Sequence, residues 1–436
     1  MIDIKKNEEN ILKELKKQNL EFVWKEIEIP IIPMVSKMNE NGFKINLDEL
    51  KKLSKNFGKR IKKLEKEIYE MSGESDFNIK STQQLSKILF EKMELPTKGL
   101  KKTPKGVIST KESELLKLQG EHKIIDKILE YRELTKMTST YIDNLIPEIE
   151  KDKDERLHYE ILQIGTSTGR MSSKNPNIQN IPASGEYGKE IRKVFIAEKT
   201  FKLVSFDYSQ IELRIAAIIS QDKKLLEAFE KKEDIHSAVA KEIFGEENPE
   251  NRRRAKVINF GILYGMGVNS LTKTLGTDRK EAQEFLNNYF EKFSGLSKYI
   301  EEIKLKVKED GFTQTIYGRK RFFPEINSKL PFIRASAERM AINAPIQGSS
   351  ADIIKLAMRK IWALLEKENL LEIVRPVAQI HDELIFEIKE NLIDEISPKI
   401  KQIMENVFQD FPLKEKKQLA PLLVEPKVGD NWSELK

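Results

Sequence analysis

The sequence predicts an α+β fold, and three observations carry that prediction. Two short β-type segments, residues 201–207 and 377–388, stand far apart in a chain of 436 residues. Most of the remainder has helical spacing, with capping residues or breakers where helices should start and stop. Hydrophobic residues make up 39% and charged residues 33%, which suits a globular chain with a real core and excludes a disordered one. The length fits two or three structural subdivisions.

The elements follow in order. The first 20 residues are charged, with apolar residues enough for a short helix or a frayed tail. Pro30 and Pro33 break any helix there. Asn46 or Asp48 can cap a long helix that runs to about Met71 and stops at Gly73. Residues 81–92 read as a second helix, 96–104 as a Lys/Gly/Pro loop, and 111–137 as helix again. Residues 165–182 are polar and loop-like. The strand 201–207 is followed by a helix from Gln210, and 222–317 is mostly helical. Residues 338–365 form another helix, with a break near Pro345. Residues 377–388 alternate as two strands joined by a tight turn.

Composition excludes several classes. With no Cys there are no disulfides and no Cys-ligated zinc or iron–sulfur sites. No apolar run approaches 18 residues, and Met1 is followed by Lys/Glu-rich sequence, not a secretory h-region. The formal net charge is +6, too mild to name a partner. Its distribution says more. Residues 51–130 hold 18 Lys and one Arg against 12 Asp plus Glu, a local net of +7 that suits either a polyanion or a solvated lysine surface. Of the 16 Arg, eight fall between Arg252 and Arg339. In a lysine-rich chain, Arg should persist where a planar fork of donors matters.

Three segments carry chemistry. In the first, the strand ends at Asp207, and Tyr208-Ser209-Gln210 leads into a helix bearing Glu212 and Arg214. Asp207 either caps that helix or offers a fixed carboxylate to a metal. The second is Gln379-Ile380-His381-Asp382-Glu383, a polar tip between apolar strands. It is either a solvated turn or a second strand-end carboxylate site. Paired Asp ligands suit Mg²⁺, which prefers oxygen and keeps waters or substrate phosphates as further ligands. Two such ions about 3.5–4 Å apart can activate a hydroxyl and stabilise a leaving phosphate. The third is residues 252–265. Arg252, Lys256, Phe260 and Tyr264 recur every four residues, so at a drift of about 40° per step they form one slowly turning stripe. The stripe runs from cationic to aromatic, and the helix dipole adds positive potential at the cationic end. It fits a nucleoside triphosphate laid along a helix, or a surface helix whose aromatic end packs into the core.

These motifs resemble those of the family A DNA polymerases, the bacterial DNA polymerase I type, over nearly the whole chain after about residue 20. Residues 207–214 resemble the family's motif A, 252–265 its motif B, and His381-Asp382-Glu383 its motif C. Thr168-Gly169-Arg170-Met171-Ser172-Ser173, continuing through Asn177, Gln179 and Asn180, resembles a further family segment. The resemblance implies a right-hand polymerase fold with an antiparallel-sheet palm, helical fingers and a helical thumb. The palm would comprise residues 21–45, 146–220 and 340–436, the thumb 46–145 and the fingers 221–339, with 1–20 as a tail.

It also implies roles. Asp207 and Asp382 would hold two Mg²⁺ ions (Mn²⁺ can substitute), with the Tyr208 carbonyl as an extra ligand and Glu383 in support. Arg252, Lys256 and His236 would hold the triphosphate, and Lys256 would protonate the leaving pyrophosphate. Phe260 would pack on the sugar, Glu212 would exclude a ribose, Tyr264 would close the templating position, and Gln210 would order the nucleotide site. Arg170, Asn177, Asn180, Arg339, Asn343, Gln347 and His381 would contact primer–template DNA, partly through the minor groove. Thumb lysines would grip phosphates further back. The expected partners are primer–template DNA and deoxynucleoside triphosphates, with no membrane, for a monomer in a bacterial-type cytoplasm at the nucleoid. With about 20 residues ahead of the matched region, neither a proofreading exonuclease nor a 5′ nuclease is expected on this chain. Two alternatives remain: a non-catalytic DNA-binding relative, and a nucleotidyl transferase that prefers ribonucleotides. Arg279, Arg319, Arg321 and Arg334 receive no role from the resemblance.

Overall fold

A computed structural model describes residues 4–413 and 417–435. Of the expected tail 1–20 and palm segment 340–436, residues 1–3, 414–416 and 436 lie outside the described residues. The fold centres on a four-stranded antiparallel sheet. Its spatial order is Val424–Gly429, Phe201–Tyr208, Glu383–Lys389, Val374–Ile380. The two inner strands are almost wholly buried, Val204, Phe206, Leu384, Ile385 and Phe386 completely so. Apolar residues on both faces mean that both faces are covered. The helix Ile32–Asn41 packs on the strand Val374–Ile380, and the helix Ile393–Glu405 packs on Val424–Gly429.

Helices account for the rest. Asn46 caps the 26-residue helix Leu47–Ser72 through Oδ1, which accepts from the Glu49 N–H at 3.0 Å. Gly73 ends it in the left-handed region at φ +60, a conformation that favours glycine. This helix packs against Lys123–Met137, and Arg60 joins Glu130 by two hydrogen bonds of 2.7 Å. Between the first and second parts of the sheet run the helices Ile211–Ser220, Lys223–Glu230, Ile235–Phe244, Pro249–Leu263, Val268–Leu275, Arg279–Lys292 and Ser294–Asp310. A hairpin, Phe312–Gln314 with Lys320–Phe322, then precedes a 37-residue helix, Pro331–Lys367.

Three local expectations need correction. The helix expected over 111–137 is interrupted: the chain leaves it at Gln119, passes Gly120 at φ +91, and restarts at Lys123. Helical spacing continues across the gap, but His122 supplies a new N-cap through Nδ1, 3.1 Å from the Ile124 N–H. Pro345 does not break its helix, which begins at Pro331 and runs straight through it. One missing N–H is a local loss, whereas residues 341–346 and 348–358 are buried and held by packing on all sides. Gln210 is not helical. It sits at φ +54, and the helix starts at Ile211.

The Asn46 cap gives a direct check. Asn46→Ala should destabilise the fold through the helix Leu47–Ser72 by about 1 kcal/mol and Asn46→Gly by only a few tenths. Urea unfolding followed by helical circular dichroism reads both, and equal loss from the two variants would contradict the cap.

Candidate active site

Strand register brings the two sequence-selected carboxylates together. Asp207 lies opposite Glu383 across the two inner strands, and the Tyr208 N–H donates to the Asp382 carbonyl at 3.2 Å. Asp207 is therefore a strand residue and not a helix cap; Gln210 holds the cap position. His381 and Asp382 form the whole turn between the two hairpin strands. His381 takes φ +54, a strained conformation that costs on the order of 1 kcal/mol or more and needs support. Gln379 supplies it by donating to the His381 carbonyl at 2.5 Å, and Gln179 in turn donates to the Gln379 carbonyl at 3.0 Å. His381 is exposed at the tip, Asp382 is half-buried and Glu383 is buried.

A chain of polar contacts runs outward from this point. The Ser350 hydroxyl, fully buried on the long helix, donates to Asp382 Oδ1 at 3.0 Å. Arg170 Nη2 stands 3.5 Å from the same oxygen and 2.7 Å from Glu212 Oε1. The Tyr264 hydroxyl donates to Glu212 Oε2 at 3.0 Å. Burial pushes the Glu212 carboxyl up, with the Asp382 charge adding, while Arg170 and the Tyr264 hydrogen bond pull it down. Burial, together with Glu212, pushes the Tyr264 phenol up to about 12. The site thus joins motif residues from three regions through one arginine.

The stripe is present as expected on the helix Pro249–Leu263. Asn248 caps it, Pro249 occupies its first turn, and Tyr264 sits at its C-terminal end. Arg252 is exposed and held by Asp234 at 2.7 Å. Lys256 is exposed and makes no ion pair among the described residues. Phe260 is half-buried against the core, and its ring lies 5.8 Å from that of His236. His236 is 3% exposed, and burial, assisted by Lys256 and Arg252 against the opposing pull of Asp234, lowers it to about 4. The imidazole is therefore neutral and offers no charge. Arg253 and Arg254 both turn to Glu250.

The residues expected on the DNA side divide. On the long helix, Arg339, Asn343, Gln347 and Ser350 recur at spacings of four, four and three, which puts them on one face. Arg339 is exposed and lies over Gly265, where an added Cβ would come 2.7 Å from Arg339 Cγ. Asn343 is buried, with Nδ2 at 3.5 Å from the Leu263 carbonyl. A cleft of about 830 Å³ opens beside Tyr264, lined also by Gly265, Arg279 and Arg339. Asn177 spends Oδ1 on capping the turn Ile178–Asn180, accepting from the Gln179 N–H at 3.1 Å and from the Ser173 hydroxyl at 3.0 Å. Asn180 is exposed.

Below the site lies a buried charge network that sequence reasoning missed. Arg319 joins Glu28 and, at 2.7 Å, Asp352. Lys355 Nζ reaches Glu28 at 2.8 Å and the Gln163 carbonyl at 3.0 Å, while Gln163 Nε2 donates to Glu28 Oε2 at 2.6 Å. Arg319 also backs the loop carrying Arg170, since a Cβ on Gly169 would lie 2.6 Å from Arg319 Nε. Burial raises a carboxyl such as Glu28, but Lys355 and Arg319, with the Gln163 hydrogen bond, outweigh it and hold Glu28 below its ordinary 4.5. Nothing local marks this network. The one available signal was Asp352 and Lys355 in an otherwise apolar helical stretch.

The donor set suits Mg²⁺. Asp207 and Asp382 present oxygen at one sheet end, and the Arg170 guanidinium already places positive charge against Asp382. Among the described residues there is no group of three or more His, Cys, Asp or Glu that could hold a metal ion by itself. No described helix is long and apolar enough to cross a membrane.

The structure thus joins an antiparallel sheet with two strand-end carboxylates to the end of a cation-to-aromatic helix, through Arg170, Glu212 and Tyr264. The profile of DNA polymerase family A matches residues 47–434, and the chain belongs to that family. It is 42% identical over 432 residues to DNA polymerase I of Caldicellulosiruptor bescii, covering 98% of this chain and 49% of the relative. It is 39% identical over 420 residues to the thermostable DNA polymerase I of Thermus aquaticus, covering 95% and 49%. The chain thus spans about half the length of these curated relatives. The POL domain of Pol1 from M. smegmatis, solved in complex with DNA primer-template and dNTP, superposes with a TM-score of 0.89 at 34% identity, covering 97% of this chain and 73% of that one.

The network predicts an acid-dependent stability term. Glu28→Gln should cost about 3–5 kcal/mol at neutral pH, because buried Lys355 loses its carboxylate partner and Arg319 keeps only Asp352. Glu28 has a folded value below its unfolded one, so its contribution is full above 4.5 and disappears as pH falls through the lowered folded value. Urea midpoints of both proteins across that range should converge in acid; a constant gap would contradict the assignment.

Proposed function

We propose that the chain performs template-directed DNA synthesis, in which a primer 3′-hydroxyl attacks the α-phosphate of a deoxynucleoside triphosphate and releases pyrophosphate. The observation that carries this reading is the placement of Asp207 and Asp382 at one sheet end, in a family A chain, with Tyr264 of the stripe joined to Asp382 through Glu212 and Arg170. In this reading the chain divides as a right hand, with a palm of residues 21–45, 146–220 and 340–436 that includes the four sheet strands, fingers of 221–339 and a lysine-rich thumb of 46–145.

Asp207 and Asp382, with the Tyr208 carbonyl, would hold two Mg²⁺ ions, and Mn²⁺ can substitute. Such ions neutralise phosphate charge and favour the ionised hydroxyl. The chain's own residues do the rest. Arg252 and Lys256 bind the triphosphate, and Lys256 delivers a proton to the leaving pyrophosphate oxygen. Phe260 packs on the sugar. Glu212, held between Arg170 and Tyr264, occupies the space a ribose 2′-hydroxyl would need. Arg170, Asn343, Gln347 and His381 check the shape of the terminal pair, and Arg339, Asn177 and Asn180 line the DNA path. Swinging of the stripe helix over a correct pair would assemble these groups and make closure a specificity step. The protein acts as a monomer on primer–template DNA.

Two variants test the reading. Asp382→Asn should abolish primer extension while primer–template affinity, read by fluorescence anisotropy, stays within about threefold. Loss of both together would mean that the carboxylate serves folding. Glu212→Ala should raise ribonucleotide use relative to deoxynucleotide use by roughly tenfold or more. Equal use of the two sugars by the unmutated chain would instead favour a ribonucleotide transferase.

A further inference from the structure

Behind the stripe lies a buried polar relay. Asn259 precedes Phe260 on the stripe helix and is 1% exposed. Its Nδ2 is 3.2 Å from Nδ1 of His236, and its Oδ1 accepts from the Tyr289 hydroxyl at 3.1 Å. His236 comes from the helix Ile235–Phe244 and Tyr289 from the helix Arg279–Lys292, so the relay ties three helices together. Tyr289 is also buried.

The relay has a direction. The Tyr289 O–H is a sealed donor that meets no other acceptor among the described residues. Its hydrogen therefore turns the Asn259 oxygen toward itself and the Asn259 amide nitrogen toward the imidazole. An amide nitrogen only donates, so Nδ1 of His236 accepts and carries no hydrogen. In a neutral ring the hydrogen is then on Nε2. Flipping the amide would leave the tyrosine hydrogen unpaired in a dry site. The charges around the ring are Asp234 at the start of its own helix and Lys256 and Arg252 on the stripe helix. Nε2 has no hydrogen-bond partner among the described residues, and it is not one of their sealed, unpartnered polar atoms.

We propose that Tyr289 and Asn259 are positioning residues that lock His236 in its Nε2–H tautomer, so that the site presents a fixed, neutral donor to the incoming triphosphate beside Arg252 and Lys256. The donor's target rests on the triphosphate reading above; the lock does not. The lock explains why a histidine with so little solvent contact can serve an anion. It acts as an aimed hydrogen bond, while the two exposed cations supply the charge.

Two-bond proton–nitrogen correlation spectra of the full chain labelled with nitrogen-15 histidine separate a protonated ring nitrogen from a bare one. His236→Gln identifies the signal among the four histidines. The unmutated chain should show His236 with Nε2–H only at neutral pH. Tyr289→Phe, which removes one oxygen, should let the amide flip and bring in an Nδ1–H population. Asn259→Asp, whose carboxylate only accepts, should convert the ring to Nδ1–H and raise the KM for deoxynucleotide about tenfold at a pH where the ring is neutral, with kcat nearly unchanged. An Nδ1–H ring in the unmutated chain, or a tautomer unmoved in both variants, overturns the lock. An Nε2–H ring whose signal ignores a bound non-hydrolysable deoxynucleotide overturns the triphosphate reading instead and leaves the lock standing.

Discussion

The pairing of the strands Phe201–Tyr208 and Glu383–Lys389 is the constraint on which the site depends. Its register sets Asp207 opposite Glu383 and ties Tyr208 to Asp382. A slip of one residue would turn every side chain to the other face of the sheet, removing Asp207 from the site and forcing Val204 and Phe206 into packing shaped for Leu203 and Ser205. The apolar faces on both sides make such a slip costly, so the same burial that stabilises the sheet positions the chemistry. The strained turn at His381 is then maintained from below by Gln379 and Gln179, and Ser350 of the long helix fixes the Asp382 carboxylate.

Charge is arranged in two tiers. The buried tier, Glu28, Arg319, Asp352 and Lys355, is fully paired and joins the N-terminal segment, the hairpin after the helical region, and the long helix. Replacing such groups with apolar residues can be neutral, so the network is better understood as fixing one arrangement than as a source of net stability. The open tier, Arg252 and Lys256, faces solvent. Arg170 lies between the tiers and divides its guanidinium between Glu212 and Asp382. The distribution of arginine makes sense in these terms. Its planar fork serves mostly internal clamps, as in Arg60 on Glu130, Arg156 on Glu387 and Arg214 on the Ser209 and Pro421 carbonyls, and at the stripe it serves Arg252. Much of the dense run from Arg252 to Arg339 is therefore spent on pairing within the chain: Arg253 and Arg254 pair with Glu250, and Arg319 with Glu28 and Asp352.

Much of this was legible in the sequence because it is local. Asn46 and Gly73 bound their helix through rules that act within four residues. The strand ends and the two-residue turn follow from alternation, and the stripe follows from a spacing of four. What was not legible depends on distant partners. Glu28 and Lys355 are 327 positions apart, and no pattern near either one predicts the other. Ser350 belongs to none of the motifs, and its partner Asp382 lies 32 positions further along the chain. Pro345 was misjudged because local propensity was weighed without the packing that overrides it, and Gly120 because helical periodicity persisted across a real break. His236 was singled out by the family resemblance alone, and its burial and neutrality belong to the tertiary structure.

The central claim is that the two strand-end carboxylates and the stripe together add deoxynucleotides under template direction. Single-nucleotide primer extension by the unmutated chain, with Mg²⁺ present or chelated, tests it most directly. The account predicts Mg²⁺-dependent addition of the complementary deoxynucleotide in preference to the other three, with one pyrophosphate released per addition. A chain that binds primer–template but extends nothing in Mg²⁺, or that adds nucleotides without regard to the template base, would contradict it.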